Sequence, residues 1–404
     1  MTKAAIWRFP QLDFRTWAPR PISQSASAHL DLIRGIAALA VMWGHVRTLY
    51  FVDYQSLRIP SWLIKIIYFA TGFGHQAVMV FFVLSGCLIS STVIKTSLFN
   101  TWSWRNYAIN RATRLYVVLI PGLVLGLVWD SIGSSLLEGN GIYKSPIAGL
   151  GPAIPLENLT LKNFIGNLFY LQTIMCPTFG SNGPLWSLTN EFWYYVLFPL
   201  GLSAGIGWRK RTQGYTIHTT VLTILTIGVC VFVGRGILMG FLVWLAGCAL
   251  ALSHGKFQIE SKLTWTLGLA LSLLLFSGAL SATRIGKISE KASDILVGTA
   301  FALFLFFVLQ GTGKTVNVIY SQLARLCAGF SYSLYVLHFP FLLFLRACVT
   351  PKRRWVPDTS HLVCGFLVGV AALTFAWSVS LFTERKTGTV RAWAMGLFGS
   401  KVVP

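Results

Sequence analysis

About ten long apolar runs, separated by links that carry most of the basic side chains, decide what this chain can fold into. They fall near residues 30–50, 75–94, 115–133, 185–207, 216–234, 236–253, 263–281, 294–310, 326–346 and 362–383. Each approaches the ~20 residues a helix needs to cross hydrocarbon, where backbone polar groups must be satisfied within the segment. The expected fold is all-α: a polytopic membrane protein of about ten transmembrane helices. Two further pieces, 61–70 and 164–176, are short for a span and read as interfacial or re-entrant helices. Composition agrees, because 54% of the 404 residues are hydrophobic and only 11% charged, too little polar surface to cover a soluble fold.

The formal net charge of +21 would suit nucleic acid, but Lys and Arg are spread among the links. That distribution fits positive-inside topology and contact with anionic lipid, so nucleic acid is discounted as a partner. With the N-terminus inside, the inner segments hold Lys95, Arg105, Arg111, Arg114, Arg209-Lys210-Arg211, Lys256, Lys262, Lys314 and Arg385-Lys386. The 134–163 loop and the segment from Arg284 to Asp294 lie outside, and Lys352-Arg353-Arg354 falls outside against the rule. The expected organisation is a cytoplasmic tail over 1–29, a membrane domain over 30–384 and a cytoplasmic tail over 385–404. No signal peptide or second soluble domain is expected. Seven cysteines without a Cys-x-x-Cys pair imply neither a disulfide framework nor a zinc site.

Ionisable side chains inside apolar runs are costly and usually functional. The first run, HLDLIRGIAALAVMWGHV, carries Asp31, Arg34 and His45. Eleven residues at 3.6 per turn bring His45 back to within about 20° of Arg34, roughly 16 Å along the axis. A guanidinium stays charged and needs an anion, whereas an imidazole can be buried neutral and take a proton. The plainer alternative pairs Arg34 with Asp31 as a helix anchor. Arg111 and Arg114, at i and i+3, share one helix side and could grip phosphate or merely anchor the inner interface. Ser187 and Glu191 open the fourth span beside Trp186, where a carboxylate could orient a histidine; the aromatics also suit an interfacial belt or a sugar face. His75 stands at the entry of the second span, and Ser85-Gly86 within it suits close helix packing. Ser331, Tyr335 and His338 follow along the ninth span, His338 being a second imidazole at membrane depth. GTGKT at 311–315 lacks the earlier glycine of a phosphate loop, and no His-Glu-x-x-His pair is present, so neither ATP hydrolysis nor metal chemistry is indicated.

These blocks, in this order, resemble the acyltransferase-3 family of integral membrane acyltransferases. The matching residues are Asp31-Leu32-Ile33-Arg34 with His45, Phe81-Phe82-Val83-Leu84-Ser85-Gly86, Arg111-x-x-Arg114, Trp186-Ser187-Leu188 with Glu191, and Ser331-Tyr332-Ser333-Leu334-Tyr335 leading to His338. The resemblance implies transfer of an acyl group, most often acetyl, from acyl-CoA to a carbohydrate hydroxyl in the bacterial inner membrane, without a metal. The acceptors it implies are polysaccharides, oligosaccharides or lipid-linked sugars, with glycan assembly or export proteins as partners. It suggests His45 as the catalytic residue, acting either as a base or as a covalent acyl carrier, with Glu191 a candidate orienter, and Arg34, Arg111 and Arg114 near the CoA phosphates. Asp31, His75, Ser85, Trp186, Ser187 and His338 are the supporting or substrate-side candidates. The chain departs from many relatives at Met79, where they carry Asp or another polar residue, and at Cys87, where an aromatic is frequent. No appended esterase-like domain is expected. Two rival functions use the same residues differently: a transporter of protons or small anions lined by Arg34, His45 and His338, and a scaffold for a glycan export complex.

Overall fold

The computed structural model describes residues 19–136, 141–147, 153–209, 216–284, 288–311, 317–349 and 353–397. Its helices run in the order α1 (Gln24–Tyr50), α2 (Trp62–Ala70), α3 (Gly74–Leu98), α4 (Trp104–Leu136), α5 (Leu161–Leu168), α6 (Trp186–Arg209) and α7 (Thr216–Lys256). They continue with α8 (Lys262–Ala282), α9 (Glu290–Gln310), α10 (Val318–Ala328), α11 (Ser331–Val349), α12 (Thr359–Phe382) and α13 (Thr387–Leu397). The all-α membrane fold is as expected. Among the described residues, eight stretches are long and apolar enough to cross a bilayer. Two features account for the difference from ten. Gly234, at φ 74°, divides α7 into two halves, because its left-handed backbone cannot continue a helix. The 24-residue α6 is long enough to cross but carries Ser187, Asn190 and Glu191 in its first turns.

Several boundaries differ from those expected. The first helix starts early, because the Ser23 hydroxyl accepts from Ala26 N–H at 3.2 Å and caps α1. The 326–346 run breaks at Gly329-Phe330 into α10, which lies on α1, and α11. The 164–176 run is helical only to Leu168; Tyr170 and Thr173 take positive φ and turn it back. Residues 387–397 are not a bare tail: they form α13, packed on α4, with Met395 buried. The basic tail up to residue 18, Lys210, Arg211, Lys314 with most of the GTGKT segment, and Lys352 lie outside the described residues.

The described chain starts and ends at one end of the bundle, the end where α1, α4 and α11 begin and α3, α6 and α12 finish. At the centre, α3 packs against α1, α6, α7 and α9. Lipid is as apolar as leucine, so helices in a bilayer associate through close packing rather than hydrophobic burial. Here the Ser85-Gly86 block has a clear use. A side chain at Gly86 would meet the Trp244 carbonyl, and one at Gly247 the Val83 carbonyl, so α3 and α7 touch backbone to backbone. Gly86→Val should cost more than the ~1–3 kcal/mol of ordinary overpacking, since the clash is with backbone that cannot swing aside. Size-exclusion chromatography of detergent-extracted protein should show loss of the monodisperse species; an unaltered profile would refute the close contact.

Candidate active site

Helix α1 delivers two ionisable groups to two different cavities. Arg34 and Asp31 line a cavity of about 760 Å³ opening at the end where α1 starts. Six arginines line it, Arg34, Arg111, Arg114, Arg325, Arg385 and Arg391, against three carboxylates, Asp31, Glu191 and Glu384. The excess of three positive charges gives it a positive potential that favours an anion. Two of the carboxylates are engaged by arginine. Glu384 accepts from Arg114 Nη1 at 3.2 Å and from the Ser333 backbone N–H and hydroxyl, each at 2.9 Å. Asp31 stands 3.5 Å from Arg34 Nη1, a loose pair that leaves the guanidinium facing the cavity. Arg111 lies over the Tyr107 and Tyr195 rings, and its buried Nε, like that of Arg391, has no hydrogen-bond partner. Buried donors without acceptors are costly, and an anion in the cavity would supply one.

The first turns of α6 serve two cavities by helical periodicity. Ser187 and Glu191 face the arginine cavity, while Trp186 and Asn190 face a second cavity towards the opposite end. This corrects the expectation that Glu191 orients His45. Tyr195 O–H donates to Glu191 and Ser85 O–H donates to Tyr195 at 3.3 Å, while Trp244 Nε1–H donates to Ser85 at 3.2 Å. The carboxylate thus belongs to the wall of the arginine cavity. Ser187 exchanges a 2.6 Å hydrogen bond with Tyr335, which also donates to the Pro184 carbonyl at 3.0 Å.

The partner of His45 is His338. His45 Nδ1 and His338 Nε2 are 2.8 Å apart, with the rings stacked at 5.0 Å, and His338 Nδ1 lies 2.8 Å from the Leu334 carbonyl oxygen. A carbonyl only accepts, so in the neutral pair His338 carries its proton on Nδ1 and accepts on Nε2. His45 must then donate from Nδ1, which leaves its Nε2 lone pair free. The network therefore assigns the tautomer that a proton acceptor needs. His45 lines a smaller cavity at the opposite end, about 200 Å³, with Arg47, Thr48, His75 and Trp186. Val78 and Tyr335 line both this cavity and the arginine cavity, so the two meet across a single layer of side chains.

Beside it, His75 Nε2 is 2.8 Å from Asp294 Oδ1 and 3.7 Å from Glu290, and its ring stacks on Trp186 at 5.7 Å. His75 and Trp186 form a shared wall between the His45 cavity and a larger one of about 580 Å³, in which Met79 faces Asp294, Glu290 and Asn190. Among the described residues no cluster of His, Cys, Asp and Glu has the arrangement of a metal site.

The structure thus gathers Arg34, Asp31, Arg111, Arg114, Ser85, Ser187 and Glu191 around one cavity, and His45, His75 and Trp186 around another. His338 stands behind His45. Sequence reasoning missed Arg325, Arg391 and Glu384. The first two sit on short amphipathic helices that carry no bilayer-length signal. Glu384 was masked by its basic neighbours Arg385 and Lys386, although a carboxylate closing an apolar run was the available clue.

The family model described as "Acyltransferase domain" matches residues 27–381. The chain is 31% identical over 170 residues to "Acyltransferase MdmB" of Streptomyces mycarofaciens, an alignment covering 42% of this chain and 37% of that protein. It is 24% identical over 200 residues to "Nodulation protein 10" of Rhizobium leguminosarum bv. viciae, covering 47% of this chain and 49% of that protein. The chain therefore spans less than half the length of either curated relative. No solved structure matches it significantly.

Proposed function

Because the chain belongs to the acyltransferase family matched over residues 27–381, we propose that it moves an acyl group, acetyl in the simplest case, from acyl-CoA to a hydroxyl of a cell-surface or exported carbohydrate. One observation carries this reading: the free Nε2 of the His45–His338 pair stands where an arginine-lined cavity from one end meets a cavity from the other. The arginine end is assigned to the cytoplasm of a bacterial inner membrane, where CoA thioesters are made, with both termini on that side. Arg34, Arg111, Arg114, Arg325 and Arg391 would hold the nucleotide phosphates. The pantetheine arm would then reach past Tyr335 towards His45, over the roughly 16 Å that eleven helical residues span.

In the step itself, His45 Nε2 takes the proton of the acceptor hydroxyl as that oxygen bonds to the thioester carbonyl carbon. The carbonyl π electrons move onto its oxygen. As they return, the C–S bond breaks and the departing thiolate takes the proton from His45. His338 holds the ring in the competent tautomer and accepts the Nδ1 hydrogen bond throughout. Trp186, stacked with His75, and the Asp294 and Glu290 carboxylates offer an aromatic face and hydroxyl acceptors for a sugar ring. A transporter reading accounts for the buried charges but not for the match to an acyltransferase domain over residues 27–381.

The donor assignment is tested with membranes that contain the protein, radiolabelled acetyl-CoA and a glycan extract. Arg111→Ala removes a charge-assisted contact of about 1.5–3 kcal/mol. It should therefore raise the KM for acetyl-CoA by roughly 10- to 100-fold, with a smaller change in kcat. An unchanged KM would sink the assignment of this cavity to the donor.

A further inference from the structure

Basic side chains stand at the wrong end of this molecule. At the end away from the termini, where positive-inside topology should leave the surface poor in cations, Arg47, Lys65 and Arg284 converge on a cavity of about 800 Å³. Its one lining carboxylate, Asp53, is already engaged: Arg354 donates to both its oxygens, at 2.8 and 2.6 Å. That hydrogen bonding holds the Asp53 carboxyl below the usual carboxylate range. The sequence outlier Lys352-Arg353-Arg354 thereby gains one explanation, since Arg354 removes Asp53 as a counter-ion for the cavity.

Among the described residues none of the three cations forms an ion pair with a carboxylate, and Asp53, which Arg47 feels at longer range, is shared with Arg354. Arg47 lies over the Tyr68 ring at 5.5 Å, and its buried Nε has no hydrogen-bond partner. Arg284 donates to the Tyr68 carbonyl at 3.3 Å, lies over the Phe73 ring at 5.2 Å, and opposes the charge of Arg47 across the cavity. Like charges gathered at one cavity repel, and an anion bound there would offset that repulsion and accept from the unpartnered donor. Arg47 also lines the His45 cavity, two residues from the proposed base, so the two cavities are joined through its side chain.

The rim supplies the second half of the argument. Ile66 and Phe69 line the cavity while remaining 55% and 53% exposed. With Trp62 they form one face of α2 at spacings of four and three residues, an apolar track leading away from the cations. A charged head beside an apolar track describes an amphiphile.

We propose that this cavity holds the phosphate of a lipid-anchored glycan, the group joining a sugar to an isoprenoid chain. The chain lies along α2, the phosphate rests among Arg47, Lys65 and Arg284, and the sugar extends past Arg47 to His45. The proposal rests on the acyl-transfer reading for its purpose, but binding at this cavity is measured separately from acyl transfer.

The test uses the purified full-length protein in phosphate-free detergent, without acyl-CoA, by native mass spectrometry and thermal unfolding. The probes are a short-chain polyprenyl phosphate, the matching polyprenol, phosphatidylglycerol and inorganic phosphate. Polyprenyl phosphate should bind and raise the unfolding temperature, while the other three bind far more weakly. The Lys65→Gln/Arg284→Gln variant should bind it about tenfold more weakly, in keeping with the loss of two interfacial cations. The Lys65→Arg/Arg284→Lys variant should retain binding. Equal binding of polyprenol would show that the phosphate is not read and would overturn the proposal. Equal binding of phosphatidylglycerol would reduce the cavity to a general anionic-lipid contact, equal binding of inorganic phosphate to a free-anion site, and either overturns it. So would undiminished binding in the charge-neutral variant. Failure of acyl transfer with intact polyprenyl phosphate binding would instead count against the proposed function.

Discussion

His45→Ala should lower acyl transfer about 10²–10⁴-fold, the range that follows loss of a positioned proton acceptor, with protein levels and acetyl-CoA binding retained. The size of the effect follows from the hydrogen-bond chain behind the ring. Leu334 fixes His338, and His338 fixes His45. Removing His338 should do less and in a different way. In His338→Ala the Nδ1 of His45 loses its acceptor, the ring can adopt either tautomer, and a loss of roughly 10- to 100-fold is expected, with an altered pH–rate profile. His338→Gln, whose side-chain carbonyl can accept the same hydrogen bond, should recover part of it. The measurement is label transferred to glycan per unit of membrane protein as a function of pH. Unchanged transfer in His45→Ala would remove His45 from the chemistry, and identical pH profiles for wild type and His338→Ala would make His338 a packing residue only.

Glu384→Ala should be the most damaging single change to the wall of the arginine cavity. The carboxylate is almost wholly buried, with a side chain 4% exposed, and it binds Arg114 and both polar groups of Ser333 at the start of α11. It therefore ties the end of α12 to α4 and α11. Breaking a buried pair by removing one partner costs several kcal/mol, because the remaining charge is left without a counter-ion. Arg114 is 34% exposed, so water in the cavity offsets some of that, and about 3 kcal/mol is expected, the low end of the range. Thermal unfolding in detergent should show a clear fall for Glu384→Ala, with part of it recovered when Arg114→Ala is added. A single variant that unfolds at the wild-type temperature would mean that the pair contributes nothing net.

Much of the architecture could be read from hydropathy alone, because a bilayer forces each span to announce itself as a long apolar run. What hydropathy cannot carry is the fate of shorter pieces. Residues 387–397 read as a tail because eleven residues cannot cross a membrane, yet lying on α4 they place Arg391 in the cavity. The 326–346 run reads as one span because no Asp, Glu, Lys or Arg interrupts it before Arg346, whereas Gly329 ends α10 and lets it turn onto α1. Arg34 and His45 line two different cavities, which their shared helix face did not by itself announce. Pairing between helices was not legible either. Glu191 and Tyr195 are neighbours at i and i+4 on one helix, but nothing in the residue pattern says that His338, 293 positions away, will be the partner of His45.

The single layer formed by Val78 and Tyr335 has an electrical consequence. Where solvent enters a membrane protein from both ends, the transmembrane voltage falls mostly across the thin partition that remains, about 2.3 kcal/mol for each elementary charge carried through 100 mV. Here that partition lies next to His45. A charge forming on His45 would therefore sit in the steepest part of that field, whereas the proposed route, which passes one proton from hydroxyl to thiolate at the same ring, would carry no net charge across it.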